Sequence, residues 1–203
     1  LDLPTIFGRR VGSHPRGQRL DWSRALRDTQ RFGGELLYLP RLRRKQQPLP
    51  LLVLVDVSGS MERYARLMLA FLHQATRSSP RAVFAFGTHL TDLRPAFKLH
   101  DSDEMLELVN ATVDDFAGGT RLGDALGELQ CDHKRLLMGR RTVVMLISDG
   151  LDTGSPETLN KNLQWLKLHC RRLIWLNPLL RFDACAPLAR GAVELHRHAD
   201  AML

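Results

Sequence analysis

The stretch Leu51-Leu-Val-Leu-Val-Asp56-Val57-Ser58-Gly59-Ser60 decides the fold. Its apolar start lacks the polar alternation of a half-exposed strand, so it reads as a strand buried on both faces. It ends in a carboxylate and two hydroxyls at alternate positions. Three more runs share this character: Arg81-Ala-Val-Phe-Ala-Phe86, Arg141-Thr-Val-Val-Met-Leu-Ile147 and Arg172-Leu-Ile-Trp-Leu176. Between them apolar residues recur at helical spacing, at Leu122, Ala125, Leu126 and Leu129 and again at Leu159, Leu163 and Leu166. Ser155-Pro156-Glu157 supplies an N-cap, a proline at the first helical position and an early acid for the second of these helices. Helices that cross between buried strands make a doubly wound, mostly parallel, Rossmann-like α/β sheet over residues 51–203. Thr91 to Phe97 follows the second run after only Gly87-Thr88-His89, too short for a crossover, and is predicted as an antiparallel edge strand. Ala192 to His196 is predicted as the last strand.

In such a sheet ligands bind outside the carboxyl ends of the strands, where the strand order reverses. Three segments fall there: Asp56-Val-Ser58-Gly-Ser60, Ala117-Gly118-Gly119-Thr120 and Ser148-Asp149-Gly150. Asp56 and Asp149 with the hydroxyls of Ser58, Ser60 and Thr120, and no Cys or His, make a set of hard oxygen donors that suits Mg²⁺ or Mn²⁺ rather than zinc. The spacing of two in Asp56-x-Ser58-x-Ser60 points alternate side chains the same way while the chain is still extended.

The chain of 203 residues has 29 Lys+Arg against 22 Asp+Glu and 44% hydrophobic residues, enough for a sizeable core and against disorder as the main state. The charge is uneven. Residues 1–50 hold 11 Lys+Arg and 4 Asp+Glu, so the net +7 resides entirely there and the rest is neutral. This basic arm carries Arg9-Arg10, Arg16, Arg19 and the cluster Arg41, Arg43, Arg44 and Lys45, and Gln46-Gln47-Pro48-Leu49-Pro50 reads as a linker closing it. Within it Asp21 is predicted to cap a helix running to Arg31, ended by Gly33-Gly34, with Glu35 to Leu42 extended. The arm and His89, on the rim of the candidate site, are the expected partner-binding residues.

No stretch reaches the roughly 18 continuous apolar residues of a membrane span, and Leu1-Asp2-Leu3-Pro4 is not laid out as a signal peptide. Without an initiator Met the sequence reads as a trimmed fragment. Cys131, Cys170 and Cys185 lack a CxxC pair and are expected to be small core residues in a reducing cytoplasm. Val57-Ser58-Gly59 is not a Gly-x-Ser-x-Gly elbow, and there is no Gly-x-x-x-x-Gly-Lys-Ser/Thr loop, so neither serine hydrolysis nor intrinsic ATP hydrolysis is expected. His196-x-His198, on one strand face, is read as a surface pair rather than a metal site. Asp152 is either a second acid supporting the site or loop polarity, and Trp22, Trp165 and Trp175 are read as packing residues.

Asp56-x-Ser58-x-Ser60 with distant Thr120 and Asp149 resembles the metal-ion-dependent adhesion site of von Willebrand factor A (VWA) domains. That resemblance implies a strand order of 3-2-1-4-5-6, a Mg²⁺ or Mn²⁺ ion held by Asp56, Ser58, Ser60 and Thr120 with Asp149 acting through water, and a partner carboxylate at the open position. A narrower resemblance covers almost the whole chain. Arg31-Phe-Gly-Gly-Glu35, Phe84-Ala-Phe-Gly-Thr88, Gly118-Gly-Thr-Arg-Leu-Gly123, Ile147-Ser-Asp-Gly150 and Ile174-Trp-Leu-Asn-Pro178 are similar to the CoxE-like group of bacterial VWA proteins. It implies a noncatalytic adaptor that works with a MoxR-type AAA+ ATPase in maturing a client metalloenzyme, and a further helix beyond Leu203. The alternative is a nucleic-acid-associated VWA protein whose basic arm contacts phosphates.

Overall fold

A computed structural model describes residues 5–35, 38–113, 119–179 and 190–203. The chain forms two compact units that divide between Leu49 and Pro50. In the first, β1 (Thr5–Ser13), β2 (Arg19–Leu20) and β3 (Arg41–Pro48) form an antiparallel sheet in the order β1-β3-β2. Helix α1 (Trp22–Arg31) starts where expected, with the Asp21 carboxylate accepting from the Arg24 N–H, and Gly33 and Gly34 beyond it have positive φ. The stretch read as a linker is corrected here, because Pro48, Gln47 and Gln46 pair with Thr5, Ile6 and Phe7. A cross-strand partner outweighed the turn-like composition. The expected extension from Glu35 to Leu42 is seen as strand only from Arg41, and Leu36-Leu37 lie outside the described residues.

The second unit is built on six strands: β4 (Leu51–Asp56), β5 (Arg81–Phe86), β6 (Leu90–Asp92), β7 (Val143–Ile147), β8 (Arg172–Leu176) and β9 (Ala201–Met202). Their order, β6-β5-β4-β7-β8-β9, matches the order the resemblance implied, and all neighbours are parallel except β5 and β6. Every residue of β4 and β7 is buried, as continuous apolar runs require. One sheet face, with Leu52, Leu54, Phe84, Leu146 and Trp175, packs with Leu126 and Leu129 of α4 (Leu122–Asp132), Leu163 and Leu166 of α5 (Pro156–His169) and Leu195 of α6 (Arg190–His198). Helices α2 (Glu62–Ala75) and α3 (Ser102–Thr112) bury Ala65, Leu69, Met105 and Val109.

Two strand predictions fail, one in its length and one in its type. The segment from Thr91 is antiparallel to β5 as expected but ends at Asp92, and Ala96–Lys98 is a 3₁₀ turn. Ala192 to His196 is not a strand but lies in α6, whose buried residues Gly191, Ala192 and Leu195 are spaced as one helix face; the last strand is β9. His196 and His198 therefore do not share a strand face. Trp175 is fully buried, whereas Trp22 is 60% exposed and so is not the packing residue expected.

The cysteines also divide. Cys170 is buried, Cys131 is exposed rather than in the core, and Cys185 lies outside the described residues. Burial pushes the Cys170 thiol up to about 11, so its thiolate, the reactive form, is scarce at neutral pH. Iodoacetamide at pH 8, read peptide by peptide by mass spectrometry, is expected to modify Cys131 at least about tenfold faster than Cys170. Equal rates would show that the α5 C-terminus opens freely.

Candidate metal centre

Asp56 ends β4 at the centre of the sheet, and its carboxylate is fully buried. Oδ1 accepts from the Ser58 N–H at 2.9 Å, closing the turn that follows the strand. Oδ2 accepts from the Ser148 hydroxyl at 2.8 Å, and that hydroxyl in turn accepts from the Gly150 N–H at 3.0 Å. The register of β4 on β7 pairs Val55 with Ile147, so the next residues along, Asp56 and Ser148, meet across the two strands. Ser58 is buried with its Oγ 3.4 Å from that of Ser60, which is exposed.

Thr120 and Asp149 come from the other two loops, and both are buried. The Thr120 carbonyl accepts from both the N–H and the hydroxyl of Thr153, each at 2.9 Å, which fastens the start of α4 to the loop after β7. Asp152 reinforces that junction, since its Oδ1 accepts from the Leu122 N–H at 3.0 Å, one of the orphan donors of the α4 N-terminus. Asp149 Oδ1 accepts from the Leu151 N–H at 2.9 Å, while its Oδ2 is buried with no hydrogen-bond partner among the described residues. Ala117 and Gly118 lie outside those residues.

The electrostatics follow from this packing. Burial raises the Asp56 carboxyl above its ordinary value, hydrogen bonds from Ser58 and Ser148 partly offset this, and the Asp149 carboxylate raises it further. Burial likewise raises Asp152, against N–H donors from Gly154 and Leu122. Two buried carboxylates in mutual repulsion, one with an orphaned oxygen, beside hydroxyl donors make an environment that a small divalent cation relieves. Asp56, Ser58, Ser60, Thr120 and Asp149 could hold Mg²⁺ or Mn²⁺.

A family model described as "VWA domain containing CoxE-like protein" matches residues 3–203. The chain belongs to that family. Among solved structures, this CoxE-like protein is similar to proximal thread matrix protein 1 from the mussel byssus, at 17% identity over 76% of this chain and 42% of that one, with a TM-score of 0.52. It also matches the manganese-loaded TRAP protein of Plasmodium vivax, at 21% identity over 69% and 64% of the two chains (TM-score 0.48), and a von Willebrand factor type A protein from Catenulispora acidiphila, at 18% identity over 67% and 34% (TM-score 0.47). It thus spans less than two thirds of the length of each. The family match together with the strand order shows the VWA fold. No curated protein matches the sequence.

Two residues outside the five expected ligands, Ser148 and Asp152, hold the site of the CoxE-like chain in place. Ser148 orients Asp56, and its signal was the hydroxyl in Ile147-Ser-Asp-Gly150, legible only once β4 and β7 are known to be neighbours in register. Asp152 proves to be a loop fastener rather than mere polarity. His89 lies in the turn after β5, where the Gly87 carbonyl accepts from the Arg121 N–H next to Thr120; its ring is largely exposed, 3.7 Å from Glu128. Arg41, Arg43, Arg44 and Lys45 lie in β3 of the other unit.

Proposed function

We propose that this protein is a noncatalytic adaptor that binds other proteins through a divalent cation, and that it works with a MoxR-type AAA+ ATPase in the maturation or remodelling of a client metalloenzyme. The observation that carries the metal reading is Asp149 Oδ2, buried without a partner beside a second buried carboxylate. Asp56, Ser58, Ser60 and Thr120 would hold the ion, with Asp149 close by. Held there, Mg²⁺ or Mn²⁺ supplies an electrophilic position for a Glu or Asp side chain of the partner. The chain's own residues fix that position. Ser148 and the Ser58 N–H lock the Asp56 carboxylate in orientation, while Thr153 and Asp152 hold the Thr120 loop against the Asp149 loop.

Binding rather than bond-breaking is favoured because Asp56 and Asp149 would both be engaged with the ion, and no His or further Glu accompanies the three motifs in sequence to serve as a general base. The ATPase and the metalloenzyme client are what the resemblance to the CoxE-like group implies. Arg41, Arg43, Arg44, Lys45 and His89 would contact the partner, and the cytoplasm is the proposed compartment. No helix among the described residues is long and apolar enough to cross a membrane.

Affinity capture from the source cell, run in Mg²⁺ and in EDTA, tests this reading. An AAA+ ATPase or a metalloenzyme subunit is expected in the Mg²⁺ eluate alone, and lost with Asp56→Asn. A client complex of undiminished affinity in EDTA and with Asp56→Asn overturns it, as does metal-dependent hydrolysis of a small substrate by the purified chain.

A further inference from the structure

In the amino-terminal unit, β3 is paired with β1 along one side from Leu42 to Pro48, but on its other side β2 reaches only Arg41 and Leu42. Arg43 to Gln47 thus present a strand edge that no other described strand covers, and all five residues are exposed. The chain crosses β3 where β2 stops, since a Cβ on Gly17 would lie 2.4 Å from the Leu42 carbonyl oxygen. Beside this crossing opens a cleft of about 540 Å³, lined by Phe7 and Leu42 together with Arg16, Arg19, Arg43 and Arg44. The Arg43 guanidinium sits 5.7 Å from the Phe7 ring centroid. None of these four arginines, nor Lys45, has a carboxylate within ion-pair distance among the described residues.

An open edge offers main-chain donors and acceptors to another strand. The cations along this edge repel a second copy of the same edge and attract an acidic segment. The apolar floor between the arginines suits one uncharged side chain. A nucleic acid would use the charges, but it has no row of alternating N–H and C=O groups to pair with β3, so the open edge argues for a peptide.

We propose that β3 takes up an extended acidic peptide segment of a partner protein, which adds as a strand along Arg43–Gln47 and seats an aromatic or aliphatic side chain against Phe7 and Leu42. The proposal goes beyond the metal-centre reading and does not depend on it.

Fluorescence anisotropy with the full chain tests it, using a labelled peptide that alternates Glu with Val and carries one central Phe. Saturable binding is expected, unchanged by EDTA, so that its failure and that of the metal reading are separable. Methylating alternate backbone nitrogens of the peptide, on the edge that would face β3, is expected to weaken binding at least roughly tenfold at constant charge. Arg43→Ser with Arg44→Ser is expected to do likewise while leaving the thermal melt in place. No binding at millimolar peptide overturns the proposal. So does equal binding of the methylated peptide, or of an oligothymidylate of equal charge, because either would make the surface a general polyanion patch.

Discussion

In a calorimetric titration, Asp56→Asn is expected to lower Mn²⁺ affinity at least about a hundredfold, since even residues that merely orient a metal ligand cost about 10–100-fold when removed. Asparagine is the informative substitution. Alanine would leave the Ser58 N–H and the Ser148 hydroxyl without an acceptor in a fully buried position, at about 1–3 kcal/mol for each unsatisfied group. Because Asp56 sits in the core of the sheet, Asp56→Ala is expected to destabilise the fold as well as the site. Ser148→Ala is expected to cost 10–100-fold, roughly, by releasing the carboxylate it orients. Burial raises the Asp56 pKa in the folded chain, so the folded state holds that proton more tightly than the unfolded chain does. The ionised form is therefore a cost that is absent below the unfolded value and complete above the folded one. Asp56→Asn removes this cost, and in EDTA at neutral pH the variant is expected to melt no lower than the unchanged chain. Mn²⁺ binding that survives Asp56→Asn would remove Asp56 from the site.

The second large effect lies one residue beyond Asp149. Gly150→Ala is expected to destabilise the protein by about 3 kcal/mol, measured by urea unfolding, from two sources. The backbone there has φ of +82°, a left-handed conformation that costs about 1–2 kcal/mol for a residue with a Cβ. That Cβ would also lie 2.8 Å from the Ala192 Cβ and 2.9 Å from its Cα, a clash with the backbone of α6 of the overpacking kind, about 1–3 kcal/mol. The contact is reciprocal, since a Cβ on Gly191 would meet the Gly150 carbonyl oxygen at 2.5 Å. A change below about 1 kcal/mol would show that α6 can recede from the loop bearing Asp149.

The central strands were legible because burial on both faces leaves uninterrupted apolar runs, and Leu51–Asp56 and Arg81–Phe86 begin and end where the runs do; Arg172–Leu176 does so too, although it is fully buried only at Leu173 and Trp175, on one face. Ala192 to His196 misled because a short segment with three apolar residues fits either period, and only tertiary packing against Gly150 and Asp152 selects the helix. Gln46 to Pro48 misled because an edge-exposed strand carries no apolar signature. In the site, Asp56 and Ser58 show themselves by a spacing local to one strand end. Ser148 acts through a residue 92 positions away, and no local pattern encodes that pairing.

The buried Trp175 has an optical consequence. Its indole N–H donates to the Ser148 carbonyl at 2.9 Å, and the Ser148 hydroxyl donates to Asp56, so a fluorophore stands two hydrogen bonds from the candidate ligand. Trp22 is 60% exposed and open to collisional quenchers such as acrylamide, whereas Trp175 at 1% is shielded from them. Emission that persists under quenching is therefore weighted toward Trp175 and the half-buried Trp165, so that in a Trp165→Phe background the protein carries its own spectroscopic probe of the Asp56 environment without any label attached.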